Sequence, residues 1–312
     1  MSEKYELSVV IPLLNEQESV KPLYSSLKES LKELNRTYEI IFVDDGSIDD
    51  SFKILELLHS QDSNVKIIQF RKNFGKSAAL WCGFQHAEGE IIITMDSDLQ
   101  DDPKEISKLI SKIEQGDDLV SGWRIKRADS ISKKLFSRIF NQITALLTGM
   151  RIHDFNCGLK AYKKDVAREL MIYGELHRFI PVLAYWKGYQ VTEVQVAHHS
   201  REYGKSKYGI ERLWKGFWDF ITILFLTKYA NSPLYLFGLI GLVLGLAGLG
   251  INIYLATIWF MGQYIGHRPL LILAVLLVIL GGQFISMGLL GEMIISKYKS
   301  KEQYSIRKVL GK

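Results

Sequence analysis

The chain has 312 residues, 47% of them hydrophobic, a formal net charge of +5 and only two cysteines, Cys82 and Cys157. That length fits one sizeable domain plus added elements, and two cysteines without metal-ligand spacing exclude a disulfide framework and suit a reducing compartment. Part of the positive charge lies beside an apolar C-terminal region, which points to anionic lipid rather than nucleic acid.

In chain order, residues 1–6 are short and polar and lack the apolar stretch of a signal peptide. Apolar runs at 7–11, 39–43, 65–70, 90–95 and 118–121 predict strands, and the intervening stretches 16–34, 49–60, 76–86 and 103–115 predict helices. Such alternation implies an α/β domain with a parallel sheet covered on both faces, whose ligands bind at the carboxyl ends of the strands. No Gly-x-Gly-x-x-Gly follows the first strand and no Gly-Lys-Ser/Thr phosphate loop occurs, which argues against dinucleotide and simple P-loop chemistry.

Polar clusters sit at three strand ends: Pro12-Leu13-Leu14-Asn15-Glu16, Asp44-Asp45-Gly46-Ser47 and Asp96-Ser97-Asp98-Leu99-Gln100. Two readings fit the last of these. In an extended segment Asp96 and Asp98 point to one side and, with the neutral oxygen of Gln100, suit a hard cation that shares its coordination with substrate phosphates. Alternatively the acids cap the helix that Pro103 begins. Three clusters at equivalent ends favour a common pocket.

Residues 209–229 alternate Leu213, Trp214, Phe217, Phe220, Ile221, Leu224 and Phe225 with charged positions. This predicts an amphipathic helix, either interfacial or packed on the soluble domain. Between Ser232 and Ile295 only Arg268 and Glu292 are charged, and segments 233–261 and 269–295 each exceed the roughly 20 residues that cross a bilayer. The connector 262–268 is short, so the two form a hairpin. Lys297, Lys299, Lys301, Arg307, Lys308 and Lys312 lie after it and Arg212, Lys215 and Lys228 before it, which places both flanks in the cytoplasm. The expected localisation is the inner (plasma) membrane, as a multi-pass protein with its catalytic domain cytoplasmic. Gly241 and Gly245, with Gly288 and Gly291, serve either a homo-oligomer or packing inside the hairpin.

The ordered motifs Val9-Val10-Ile11-Pro12 with Asn15-Glu16, Val43-Asp44-Asp45-Gly46-Ser47, Arg71-Lys72-Asn73-Phe74-Gly75-Lys76 and Asp96-Ser97-Asp98-Leu99-Gln100 resemble those of family 2 inverting glycosyltransferases. More narrowly, the chain is similar to the polyprenyl-phosphate branch, which includes dolichyl-phosphate mannose synthases and bactoprenol glucosyltransferases. The resemblance implies a Rossmann-like, GT-A type nucleotide-sugar-binding domain with a two-helix transmembrane hairpin. It divides the chain into a cytoplasmic domain at 1–208, an interfacial region at 209–231, the hairpin at 232–296 and a basic tail at 297–312.

The same resemblance implies that Pro12, Glu16, Asp44, Asp45, Lys76 and Asp96 bind the nucleotide sugar, and that Asp96, Asp98 and Gln100 hold Mg²⁺ or Mn²⁺. Arg124, Arg138, Arg201, Ser206 and Lys207 would surround the acceptor phosphate, with Asp154 essential beside the reacting centre as a positioning group or a base. One departure concerns Asn156-Cys157-Gly158-Leu159-Lys160, where many relatives carry a Ser-Gly-Phe-Arg-like run. The implied reaction moves a sugar, glucose from UDP-glucose being favoured over GDP-mannose and other UDP sugars, onto a polyprenyl phosphate. A processive polysaccharide synthase needs more spanning helices and a Gln-x-x-Arg-Trp-like motif, and an inactive scaffold has no need of these acids and arginines.

Overall fold

The structure, a computed structural model, describes residues 5–124, 149–199 except 151, 225, and 232–298 except 267. It divides into two units, Met1–Phe220 and Ile221–Lys312. The expected residues Arg138, Arg201, Ser206 and Lys207, and almost all of the 209–231 segment, lie outside the described residues.

The first unit is built on a seven-stranded sheet of order β3-β2-β1-β4-β6-β5-β7. Strands β1 (Leu7–Leu13), β2 (Tyr38–Asp44), β3 (Val65–Gln69) and β4 (Ile91–Thr94) run parallel. All seven residues of β1 and of β2 are buried, which is why these segments read as continuous apolar runs rather than alternating ones. Helices α1 (Val20–Glu33), α2 (Ser51–Gln61), α3 (Lys76–His86) and α4 (Ile106–Glu114) cover the sheet. In α4 the buried residues Ile106, Leu109, Ile110 and Ile113 recur at helical spacing and join the core.

Two predicted helices begin later than expected. Residues 16–19 form a turn, with the amide of Val20 bonding to the carbonyl of Glu16, and α1 starts only at Val20. Pro103–Glu105 is a 3-10 turn, capped by Asp102, whose carboxylate accepts from the amide of Lys104 at 3.0 Å. The capping task therefore falls to Asp102, and Asp96 and Asp98 are not needed for it.

The sheet is not wholly parallel. After β5 (Leu119–Arg124), strand β6 (Lys160–Lys163) runs antiparallel between β4 and β5, with Lys160 opposite both Thr94 and Ser121. It is followed by α5 (Lys164–Glu169), a 3-10 turn at Leu176–Phe179, α6 (Ile180–Trp186) and β7 (Val191–Val196), which pairs parallel with β5. The reversal at β6 seats a later segment of the chain directly below the end of β4.

In the second unit, α7 (Pro233–Phe260) and α8 (Pro269–Tyr298) are long and apolar enough to cross a membrane and pack as a hairpin. Their outward residues, such as Leu242, Leu246 and Ile253 on α7 and Leu276 and Ile279 on α8, are exposed and apolar, which suits lipid rather than water. Glycines form the seam between them. A β-carbon on Gly241 would lie 2.6 Å from the carbonyl oxygen of Gly281, and one on Gly248 would lie 2.8 Å from that of Ala274. Gly288 and Gly291 pack on Leu234 and Pro233 in the same hairpin. These glycines thus serve helix contact within one chain.

Candidate active site

The loops after β1 and β2 are tied together before any ligand arrives. Asn15, in a left-handed conformation at φ +52°, accepts from the amide of Ile48 at 2.9 Å through its side chain, while its own amide donates to Ser47 Oγ at 2.8 Å. The amide of Glu16 donates to Ser51 Oγ at 2.8 Å. Asp44 is fully buried and accepts from the amide of Ser47 at 2.9 Å, so it shapes the turn and does not line the cleft. Asp45 accepts from the amides of Phe74 (2.7 Å) and Gly75 (2.9 Å), fixing the loop that leads into α3. Burial raises its pKa, against the two amides that favour the charged form.

The end of β4 is more highly charged. Asp96 pairs with Lys76 at 2.5 Å, and a β-carbon on Gly158 would lie 2.5 Å from the carboxyl carbon of Asp96, so only glycine fits there. Burial pushes the Asp96 pKa up, but Lys76, Lys160 and Arg124 together hold it below the usual carboxylate value. Leu99 adopts φ +59°, a conformation that costs a non-glycine residue about 1–2 kcal/mol and is retained by packing on the core. That turn folds the loop back, so that the amide of Gln100 approaches Asp98 Oδ1 at 3.3 Å and the Gln100 carbonyl accepts from the amide of His199 at 2.9 Å.

Asp101 is buried beside this loop, and among the described residues its Oδ2 has no hydrogen-bond partner. Burial and the charges of Asp96 and Asp98 raise its pKa to about 7. A concentration of carboxylate this hard to ionise is chemically suited to a divalent cation. Among the described residues no three His, Cys, Asp or Glu side chains converge as a complete cage. The arrangement therefore fits a magnesium-like ion bound through one or two protein oxygens, Asp98 and Gln100, with substrate phosphate and water completing the shell.

The third wall comes from distant sequence. Arg124, at the end of β5, grips Asp154 with Nε to Oδ2 at 2.7 Å and Nη2 to Oδ1 at 3.2 Å, and Asp154 also accepts from the amide of Asn156 at 3.1 Å. Asp154 is fully buried and is held by these contacts away from solvent. Lys160 lies below Asp96, and burial lowers its pKa. His177 is bonded through Nδ1 to Ser77 Oγ at 3.0 Å, and burial together with Lys76 and Arg178 keeps it neutral.

These walls enclose a cleft of about 280 Å³ lined by Pro12, Glu16, Asp45, Lys76, Asp96 and Asp98 from the expected set. Glu175 and His177 also line it, and sequence reasoning did not single them out. Their only signal was a polar stretch directly before an apolar helix. Gln100, Arg124 and Asp154 are not among the residues that line it; Gln100 follows the lining residue Asp98 by two positions.

A sheet whose parallel strands end at β1 and β4 in an acid-rich crevice, followed by a mixed half that closes it, is the GT-A type of nucleotide-sugar-binding fold. Residues 8–171 match glycosyl transferase family 2, and the chain belongs to that family. It is 35% identical to the dodecaprenyl-phosphate galacturonate synthase of Rhizobium johnstonii, over 98% of this chain and 94% of that protein. It is 37% identical to the undecaprenyl-phosphate 4-deoxy-4-formamido-L-arabinose transferase of Yersinia enterocolitica, over 99% and 95%. These relatives place it in the polyprenyl-phosphate branch of the family. Its fold is shared with glucosyl-3-phosphoglycerate synthase from Mycobacterium tuberculosis, solved with Mn²⁺ and UDP-glucose, at a TM-score of 0.54 and 20% identity over 71% of this chain and 78% of that one.

Proposed function

We propose that the protein transfers a sugar from a UDP sugar to the phosphate of a polyprenyl lipid at the cytoplasmic face of a membrane. The observation that carries this reading is a chain aligned almost end to end with two polyprenyl-phosphate sugar transferases, with Asp45, Lys76, Asp96 and Asp98 gathered in one cleft. The nucleoside would sit against Pro12, Glu16 and Asp45, and Asp98 with Gln100 would hold the cation. When bound, Mg²⁺ or Mn²⁺ offsets the charge that develops on the departing diphosphate. Lys76 adds a second positive charge on the same side.

A phosphate monoester has a second pKa near 6, so the acceptor is mostly a dianion at neutral pH and needs little help from a base. Bringing it to an anionic donor is the harder task. Arg138, Arg201, Ser206 and Lys207 belong to this proposal as acceptor-phosphate contacts, and Arg124 acts by holding Asp154 in place. The proposed layout keeps the domain boundaries 1–208, 209–231, 232–296 and 297–312, with both flanks of the hairpin cytoplasmic. UDP-glucose, the donor expected from the sequence, finds no support in the relatives' names, which point to an acidic or formamido sugar.

The test is transfer by the full-length chain in phospholipid nanodiscs containing undecaprenyl phosphate, from a panel of labelled UDP sugars and GDP-mannose with Mn²⁺ or Mg²⁺. A labelled glycolipid from a UDP sugar, abolished by Asp98→Ala, is expected. No transfer from any donor would sink the reading.

A further inference from the structure

A small cavity of about 20 Å³ opens off the main cleft and shares Lys76, Asp96 and His177 with it. Its volume admits one water-sized group, such as a single oxygen of a substrate carboxylate whose other atoms lie at its mouth in the main cleft. Lys160 forms its floor, with only 4% of its surface exposed. Among the described residues the Lys160 ammonium has one partner, the carbonyl of Cys157, and no carboxylate lies within ion-pair distance. An ammonium carries three donors, so two of its protons lack a hydrogen-bond acceptor among the described residues, and its charge is met only through space, by Asp154 and by the Asp96 it shares with Lys76. A ligand that supplied a carboxylate here would satisfy both the donors and the remaining charge.

The rest of the lining deepens that imbalance. Asp96, the one acid lining the cavity, is paired with Lys76 at 2.5 Å, and Asp154 is gripped by Arg124. Ser77 Oγ accepts from the His177 amide at 3.1 Å and is placed to give its own proton to Nδ1. That leaves the His177 ring proton on Nε2, so the neutral imidazole is a donor as well. Thus the cavity offers protons from Lys160 and His177 and has its one carboxylate occupied. A sugar hydroxyl could accept one hydrogen bond there but could not balance the charge, whereas a carboxylate does both.

We infer that this cavity receives the carboxylate of a hexuronic acid on the donor nucleotide, and that Lys160 is the residue that selects it. The inference rests on the transferase reading above and names the substrate class of that same site. Lys160 sits on β6 opposite Thr94, one step below the Asp96 loop, and a sugar attached to a diphosphate at Asp98 would reach it without leaving the cleft.

The experiment compares kcat/KM of the full-length enzyme in undecaprenyl-phosphate nanodiscs for UDP-glucuronate and UDP-galacturonate against UDP-glucose and UDP-galactose. The expected acidic-to-neutral ratio is well above one. In Lys160→Met it falls roughly 10- to 100-fold, the loss of one hydrogen bond to a charged group, and Lys160→Arg restores part of it. Calorimetric binding of UDP with Mn²⁺ to each variant reports that the cleft is still folded. If Lys160→Met does not fold, the wild-type ratio alone decides. Equal or better transfer of the neutral sugars, or a Lys160→Met that keeps the acidic preference, overturns this inference while leaving the transferase reading intact. Absence of transfer from every UDP sugar overturns both.

Discussion

The two halves of the cleft are held by different forces. In the wall after β1 and β2, side chains hydrogen-bond to backbone amides: Asn15 to Ile48, Asp44 to Ser47, and Asp45 to Phe74 and Gly75. In the wall after β4, β5 and β6, charged side chains bind each other: Asp96 to Lys76 and Asp154 to Arg124, with Lys160 enclosed between them. Amide-bound loops keep their shape when one contact is lost, because the remaining backbone bonds persist. A buried charge pair such as Arg124 with Asp154 does not, since deleting one partner strands the other. In the proposed reading the first wall meets the nucleoside, and the second meets the diphosphate and the sugar.

The sharpest way to break this contrast is Arg124→Met. Leaving Asp154 charged and buried should lower stability by about 3–5 kcal/mol in denaturant unfolding, and transfer should become undetectable. The double variant Arg124→Met with Asp154→Leu should recover most of that stability without recovering transfer. If activity returned with stability, the pair would be purely architectural.

Gly158→Ala comes next. Its methyl group would displace Asp96 from Lys76, and steady-state assays should show a fall in kcat/KM of about 100-fold, with a smaller stability loss of about 1–3 kcal/mol from overpacking.

A third test uses pH. Asp101 has a pKa raised to about 7 in the fold, above the ordinary 3.8, so between these values the native state keeps a proton that the unfolded chain releases. The contribution of Asp101 to stability is therefore full below about pH 4, declines as pH rises toward 7 and is flat above it. Unfolding in EDTA across pH 4 to 8 should show that decline, and Asp101→Asn should reduce it.

The smallest effect belongs to the first wall. Asn15→Ala loses one hydrogen bond and places alanine at a positive φ, which together should cost about 1–2 kcal/mol and raise the KM for donor only a few-fold. A loss of activity rivalling that of Arg124→Met would erase the contrast between the walls.

The same division governs how much could be read from the residues alone. Strands β1, β2 and β4 were legible because burial on both faces demands unbroken apolar runs, and their polar ends marked the cleft. The wall built by β6 was not. Lys160-Ala161-Tyr162-Lys163 begins and ends in lysine, so its pattern reads as surface, yet Lys160 is buried by pairing with both β4 and β5. Asp154 and Arg124 were both picked out, but their partnership spans 30 residues and joins a strand end to a loop, and no local spacing encodes it. Asp44 was assigned to the pocket by motif, whereas the geometry turns it inward to Ser47. Left-handed Leu99 gave no signal, because a bulky residue in that conformation is tolerated only by its tertiary setting.

The hairpin is longer than its task. At 28 residues, α7 extends for about 42 Å, against a hydrocarbon layer of roughly 30 Å. At the connector end Trp259, Phe260 and Tyr264 are exposed, a cluster suited to the headgroup boundary. With that end fixed, hydrophobic mismatch must be absorbed by tilt or by emergence of the opposite ends, near Pro233 and Ile294. Because the glycine seam brings the two backbones together, the helices would tilt as one body, and bilayer thickness would set the angle of the pair.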